Sequence, residues 1–185
     1  MQKKIRTLEK TKINGVYIFR PHTHEDARGM FVEAFTISVL EKTLKKKVKF
    51  KAWNHSKSKA GVLRGLHSEN TSKLIYPNTG KVFLAVADIR TKSKTFGHAL
   101  TFEFSRENPF SIFIEAGIAV GFCPADKHDV DYQYLMTSEY SQLIPKGVLW
   151  CDHDLNINWP LKKPVLSERD KNNPTLRQLF PGKFK

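Results

Sequence analysis

Residues 61–67 place an arginine and a histidine inside an apolar run that is typical of a β-strand. The apolar side chains of this run favour a buried sheet, whereas buried Arg64 and His67 are costly unless each meets a partner or water. A barrel with a polar interior satisfies both requirements. It would place a cation and a titratable base where a ligand binds. A structural histidine beside a surface arginine is the alternative interpretation.

Short strand patterns run through most of the remaining chain. Turn residues separate them at short intervals, for example at 26–29 and 78–80. A short amphipathic helix is predicted over residues 36–44, and another short helix begins near Ser167. Many short strands with few helices predict a single all-β domain over residues 1–185, as a sandwich, a barrel or a jelly roll. The predicted strands are residues 16–19, 30–35, 81–90, 98–104, 111–115, 118–123 and 129–136.

The net charge of +13 predicts an anionic partner without saying which anion. The densest basic segment, residues 42–51, allows nucleic acid as one interpretation. Against it, the chain has no zinc-finger spacing, no helix-turn-helix pattern and no aromatic motif of the RNA-recognition type. A lysine run after a short amphipathic helix is more typical of a solvated face. We therefore predict no nucleic-acid partner.

Features that bear on cellular location favour the cytoplasm. No apolar run approaches the roughly 20 residues of a membrane helix, and the polar N-terminus does not resemble a secretory signal peptide. Cys123 and Cys151 belong to no CxxC pattern, which favours unpaired thiols in a reducing compartment. We therefore predict a cytoplasmic protein without membrane contact.

Three further positions could carry chemistry. Tyr134 shares one face of a predicted strand with Tyr132, and in a barrel that face can point inward. Lys73 opens an apolar run, where a lysine usually protects a strand edge. Asp170 stands three residues after the helix cap Ser167, so helix capping alone can account for it.

Two short segments with a histidine are candidates for metal ligation. His22 and His24 have ligand spacing, and so, loosely, do His67 and Glu69. Neither pair is joined by the further ligands of a closed or catalytic site. The first pair lies beside turn residues and is interpreted as part of a polar loop. We predict no metal site.

Six motifs, in order and spread over nearly the whole chain, resemble those of the dTDP-4-dehydrorhamnose 3,5-epimerase family. The resemblance implies a cupin-type antiparallel jelly-roll barrel with a few short helices. It also implies a homodimer whose strands cross between subunits. The implied activity needs no metal and no cofactor, and it acts on a nucleotide-linked 4-keto sugar. The motifs are residues 28–33, 54–58, 61–67, 95–97, 159–160 and 166–170.

The resemblance also implies catalytic roles. A 4-keto group acidifies the hydrogens on C3 and C5, so a base can remove one and an acid can return a proton to the opposite face. His67 would be the base, because an imidazole titrates near neutral pH. Asp170 would accept the other imidazole N–H and fix the tautomer. Lys73 would stabilise the enolate oxygen, and Tyr134 would be the acid.

Other residues would bind the substrate. Guanidinium groups suit a diphosphate because their N–H donors form a fork that matches two oxygens. The implied diphosphate ligands are Arg28, Arg64 and Arg169, and further substrate contacts come from Glu33 and Asn54.

The chain departs from the family pattern in the nucleotide and sugar lining, while the catalytic set is retained. We interpret it as an active epimerase with a different substrate. A carboxylate at Glu69 or Glu139 could read guanine, and smaller side chains would leave room for a longer sugar. These features favour a GDP-linked 4-keto-6-deoxy-heptose of capsule or lipopolysaccharide synthesis over a dTDP-4-keto-6-deoxy-hexose of the rhamnose pathway. The departures are Ala52 and Trp53 for glutamine and aspartate, Ser68 and Glu69 for an aromatic residue and glutamine, Val120 for histidine, and Glu139 for tyrosine.

Two other classes of function stay open at this point. The first is a non-catalytic sugar-binding cupin, against which the retained catalytic positions argue. The second is a nucleic-acid-binding protein, whose affinity would fall steeply with salt. The sequence also leaves open whether C3, C5 or both are inverted, because one base can reach either carbon.

Overall fold

The computed structural model describes residues 8–105 and 107–184. Short strands dominate the described residues, and the helices are few and short, which confirms the predicted all-β class. The strands are β1 (Leu8–Lys10), β2 (Val16–Phe19), β3 (Thr23–Asp26), β4 (Gly29–Val32), β5 (Ala52–Ser58), β6 (Arg64–Ser68), β7 (Lys73–Thr79), β8 (Lys81–Asp88), β9 (Ala99–Ser105), β10 (Ser111–Ile114), β11 (Ile118–Pro124), β12 (Val130–Met136) and β13 (Lys146–Gly147). The helices are α1 (Ile37–Leu44), α2 (Glu168–Lys171) and α3 (Leu176–Leu179), with 3₁₀ turns at Tyr140–Gln142 and Pro181–Lys183.

Two antiparallel sheets pack face to face. The first has the strand order β1-β2-β10-β7-β12-β5, and the second has the order β13-β6-β11-β8-β9. Alternate side chains of both sheets meet in one apolar core, to which the first sheet contributes Ile75 and Ile112 and the second contributes Leu84 and Phe122. The hairpin of β3 and β4 is a separate two-stranded sheet.

Each sheet is also covered on its outer face. Helix α1 packs on the first sheet, with Leu40 against Leu74 and Phe113 in one cluster. The C-terminal segment, including Leu176, packs on the second sheet around Leu66. Strands β8 and β11 are therefore buried on both faces, which explains why each reads as a nearly continuous apolar run.

The helices of the described residues are short, and both cysteines are unpaired. The longest described helix, α1, has eight residues, and no described helix is long and apolar enough to cross a membrane. Cys123 and Cys151 are both free thiols, Cys123 buried and Cys151 exposed, as the spacing predicted.

A close approach of β6 to β11 fixes the strand that carries His67. Gly65 has a φ of +120°, and a Cβ atom there would lie 2.6 Å from Cα of Gly121. Only glycine fits such a position without strain. His67 pairs with Val120 immediately beyond this contact. The two glycines therefore set the depth at which His67 lies in the barrel.

Strand β5 was not among the predicted strands, because it has no apolar face. Asn54 and Ser56 are partly buried, whereas Trp53 and His55 are exposed. Pairing with β12 along the whole strand, from Ala52 opposite Met136 to Ser58 opposite Val130, compensates for this.

The interpretation of the first histidine pair as a loop was wrong for one member. His24 lies in β3, opposite Phe31 of β4, whereas His22 precedes the strand. Backbone pairing across the tight turn at Asp26 and Gly29 holds this segment extended. The exposed polar side chains gave no sign of that pairing.

Candidate active site

His67 and Asp170 form a hydrogen-bonded dyad. Nε2 of His67 lies 2.6 Å from Oδ1 of Asp170. Oδ2 of Asp170 accepts the backbone N–H of Gly65 at 3.2 Å, and the backbone N–H of Asp170 donates to Oγ of Ser167 at 3.1 Å. Strand β6 therefore presents the imidazole, and the capped first turn of α2 presents the carboxylate. The predicted cap at Ser167 is confirmed, and Asp170 has a second role beyond it.

The environment of Asp170 keeps it ionised. Only 2% of the residue is exposed. Burial raises the pKa of the Asp170 carboxyl, but the hydrogen bond and charge of His67, with the N–H of Gly65 and the Ser167 hydroxyl, outweigh burial and hold that pKa below its usual range. A buried carboxylate anion therefore lies against Nε2 of His67.

Tyr134 points into the barrel, as the strand alternation predicted. Its neighbour on the same face, Tyr132, stacks on Phe122 of the opposite sheet with ring centroids 4.2 Å apart. The rings of Tyr132 and Tyr134 are 5.5 Å apart. Burial, followed by the charges of Glu69 and Tyr140, raises the pKa of Tyr134, while Arg64 lowers it. The phenol consequently stays protonated above its ordinary titration range.

Lys73 lies beside Tyr134. Its Nζ is 5.7 Å from the centroid of the Tyr134 ring, and the same Nζ is 2.5 Å from Oε2 of Glu69. Both charged side chains are nearly enclosed, with 13% of Lys73 and 11% of Glu69 exposed. Oε2 of Glu69 makes no hydrogen bond of acceptable angle among the described residues, so the contact is an ion pair. The structure thus brings Lys73 and Tyr134 together, and Glu69, which was predicted to contact the substrate, lies with them.

Asn54 faces the same interior. It stands opposite Tyr134 in the β5–β12 pairing, so both side chains project from one face. Its Nδ2 is buried and has no hydrogen-bond partner among the described residues. An unpaired buried donor is costly, so this amide is suited to a substrate oxygen.

Two of the predicted arginines lie near the dyad. Arg64, at the start of β6, donates to Oγ of Ser58 at 2.9 Å and to the carbonyl of Lys57 at 3.1 Å. Arg169 is exposed and directly precedes Asp170 in α2. Arg64 thus begins the strand that carries His67, and Arg169 stands next to Asp170 in the helix.

Three predicted substrate ligands lie elsewhere in the chain. Arg28 is at the tip of the β3–β4 hairpin, where its side chain is 90% exposed and paired with Asp26. Glu33 follows the hairpin and accepts the hydroxyl of Thr36 at 2.6 Å. Glu139 is exposed, and its N–H donates to Oε1 of Gln142 at 3.4 Å. The structure does not place Arg28 in the interior of its own chain.

Two contributors to the site were not identified from the sequence. The first is the backbone N–H of Gly65, which orients Asp170. The only sequence feature that could have indicated it is the glycine itself, between Arg64 and an apolar residue. Phe122 supports Tyr132, and the alternation of β11 places it inward. No cluster of three or more metal-ligating side chains occurs in the described part of the chain.

Comparison with known proteins identifies the family. The sequence model of the dTDP-4-dehydrorhamnose 3,5-epimerase family matches residues 10–178. The chain belongs to the dTDP-4-dehydrorhamnose 3,5-epimerase family. An epimerase of that name from Shigella flexneri is 40% identical to it over 167 residues, which cover 88% of this chain and 92% of the relative.

Solved structures support the same membership. A 3,5-epimerase from Legionella pneumophila, in complex with dTDP-4-keto-L-rhamnose, has a TM-score of 0.85 and 32% identity, covering 94% of each chain. NovW, a 4-keto-6-deoxy sugar epimerase from Streptomyces spheroides, has a TM-score of 0.90 and 26% identity, covering 98% of this chain and 93% of NovW. The cupin-type jelly roll is thereby confirmed. This member of the epimerase family is an isomerase that acts on a nucleotide-linked 4-keto sugar.

Proposed function

We propose that the enzyme inverts C3 and C5 of a dTDP-linked 4-keto-6-deoxy-hexose, the substrate type of the rhamnose pathway. The observation that carries this choice is the 40% identity to the Shigella flexneri enzyme across nearly the whole of both chains. The departures in the site lining had favoured a GDP-linked heptose, and the comparisons favour the dTDP-linked alternative instead.

The surroundings of Glu69, one of the two residues proposed to bind guanine, support the same choice. Glu69 is ion-paired with Lys73 inside the barrel. Its carboxylate is therefore already bound to a lysine that lies beside Tyr134. Glu139 is an exposed residue at the cap of a 3₁₀ turn. A guanine reader needs a carboxylate free to accept two adjacent N–H donors, and Glu69 does not meet that requirement.

Proton removal is assigned to His67. Its Nε2 is held by Asp170, so Nδ1 is the nitrogen left to take the proton from C3 or C5. The ionised, buried Asp170 stabilises the imidazolium that forms. A positioned base of this kind contributes about 10²–10⁴-fold to the rate.

Enolate stabilisation and reprotonation are assigned to residues of the first sheet, which faces the sheet that carries His67. The Lys73 ammonium would stabilise the enolate oxygen, where a fixed charge in an enclosed site is most effective. Tyr134, whose raised pKa keeps the phenol protonated, would return the proton to the other face. Asn54 would donate to a substrate oxygen. Arg64 of β6 and Arg169 of α2 would hold the diphosphate.

The homodimer is part of this proposal. The side chain of Arg28 is 90% exposed, and the residue Phe31 on the same hairpin is 68% exposed. In a dimer with crossing strands, Arg28 would reach the diphosphate in the partner's site. We also propose that the enzyme is cytoplasmic and works without a metal or another cofactor.

Proton NMR in deuterium oxide tests the substrate. The enzyme is given dTDP-4-keto-6-deoxyglucose or a GDP-4-keto-6-deoxy-heptose at equal concentration, with the His67→Asn variant as the inactive control. We expect deuterium at C3 and C5 of the dTDP-sugar, with kcat/KM at least about 10²-fold higher than for the GDP-sugar. Preference for the GDP-heptose would overturn the choice of nucleotide. Binding of either sugar without any exchange would instead support a sugar-binding cupin.

A further inference from the structure

The Glu69–Lys73 pair spans a short loop whose backbone is fixed. The N–H of Ser72 donates to Oγ1 of Thr137 at 2.9 Å, and the N–H of Gly117 donates to the carbonyl of Glu69 at 2.9 Å. These bonds tie the loop between β6 and β7 to the end of β12 and to the start of β11. The two side chains therefore leave a rigid loop and meet inside the barrel.

A lysine side chain has many rotamers, and an ammonium that must meet one oxygen atom needs a partner to hold it. Glu69 is that partner, since its Oε2 lies 2.5 Å from Nζ and both groups are nearly enclosed. The ammonium is thereby kept 5.7 Å from the centre of the Tyr134 ring. The family pattern has a glutamine at this position, which can offer an oxygen to the ammonium but no charge.

We propose that Glu69 is a positioning residue that holds the Lys73 ammonium beside Tyr134, where it meets the carbonyl oxygen of the substrate. This inference rests on the catalytic roles proposed above for Lys73 and Tyr134. Glu69 itself does not touch the reacting carbons. It acts through Lys73, so its loss changes the chemical step more than substrate binding.

Kinetics of Glu69 variants provide the first test. Glu69→Ala lowers kcat about tenfold and changes KM for the 4-keto sugar less than about threefold, because an interaction confined to the transition state is lost. Glu69→Gln, which keeps an oxygen acceptor, recovers most of kcat. Glu103→Gln is the matched control, since it breaks the half-exposed pair of Glu103 with Lys81 at 2.7 Å and leaves kcat unchanged. Wild-type kcat in Glu69→Ala would overturn the proposal.

A double-mutant cycle separates action through Lys73 from an independent effect. Lys73→Met leaves the Glu69 carboxylate buried without its partner, so the cycle compares it with the double variant Glu69→Ala/Lys73→Met, in which neither charge remains. Removing the Glu69 charge lowers kcat no further once Lys73 is absent, and thermal unfolding of both variants shows whether they fold. An additional loss of kcat as large as in the wild-type background would overturn the proposal.

A crystal structure of Glu69→Ala tests the inference without any substrate. The Lys73 ammonium moves away from Tyr134 and takes several conformations. An unmoved, single conformation of Lys73 would overturn the inference even if the enzyme is fully active on the dTDP-sugar. If the wild-type enzyme proves inactive on that sugar, the substrate proposal fails and this structural result still stands.

Discussion

The carboxylate of Asp170 joins two points of one strand, because Oδ1 lies 2.6 Å from Nε2 of His67 and Oδ2 accepts the N–H of Gly65. A single buried side chain on α2 thus fixes both the imidazole and the backbone of β6 beside it. Asp170 therefore orients the imidazole ring of His67, while Gly65 and Gly121 set the depth of the residue in the barrel.

Asp170→Asn should lower the rate of hydrogen exchange next to the ketone by about 10²-fold or more. The amide can still accept the Gly65 N–H, but it carries no charge to stabilise the imidazolium and can select the wrong tautomer. Exchange into deuterium oxide, followed by NMR, measures the loss directly.

Ser167→Ala is the matched control for that substitution. It removes the hydroxyl that accepts the N–H of Asp170, and loss of such a cap costs about 1 kcal/mol of stability. We expect a lower melting temperature with an exchange rate close to wild type. If Ser167→Ala slowed exchange as much as Asp170→Asn, the Asp170 effect would be a folding effect rather than a tautomer effect.

Tyr134→Phe should separate proton removal from proton delivery. The ring that packs against Tyr132 is kept and only the hydroxyl is lost, so His67 still removes a proton and returns deuterium to the original face. Exchange then persists while the inverted sugar forms about 10²-fold more slowly. Undiminished inversion, measured by the coupling constants of the product, would rule out Tyr134 as the essential acid.

Asp88 should contribute acid-sensitive stability. The residue is fully buried and accepts hydrogen bonds from Arg90, Ser93 and Thr95. Burial raises the pKa of Asp88, but these bonds outweigh it and lower the pKa from 3.8 to about 2. Because the folded-state pKa lies below the unfolded value, the contribution is present above the unfolded pKa and disappears as the pH falls through the folded one.

Asp88→Asn should therefore lose about 2 kcal/mol of unfolding free energy near neutral pH. The difference from wild type should shrink as the pH falls from about 4 to about 2. Urea unfolding across this range checks both points, with the exposed Asp126→Asn as a control that changes little. A difference that stays constant with pH would contradict the ionised state of Asp88.

The sequence predicted those parts of the site that depend on local pattern. Strand alternation placed Tyr132 and Tyr134 on one face, and the spacing of Ser167 to Asp170 predicted a capped helix. Both follow from rules that act within a few residues, so no knowledge of the partner strand was needed.

The remaining features depend on contacts between distant segments. Polar β5 is a strand because β12 pairs with it. Thr95 belongs to a family motif, but its structural role, a hydrogen bond to Asp88, depends on a contact that the motif does not show. Glu69 was predicted to recognise the guanine base, but the loop between β6 and β7 directs its side chain toward Lys73. The exposure of Arg28 follows from the hairpin that carries it; the pattern predicted the turn at residues 26–29 but not strand β3, which pairs with β4.

The most direct test of the catalytic account is deuterium incorporation by His67→Asn. The enzyme and the variant are incubated with dTDP-4-keto-6-deoxyglucose in deuterium oxide, and binding of the nucleotide sugar is measured in parallel by calorimetry. We predict that the variant binds the sugar with an affinity close to that of wild type and incorporates no deuterium at C3 or C5. Normal incorporation by the variant would contradict the assignment of His67 as the base and, with it, the mechanism.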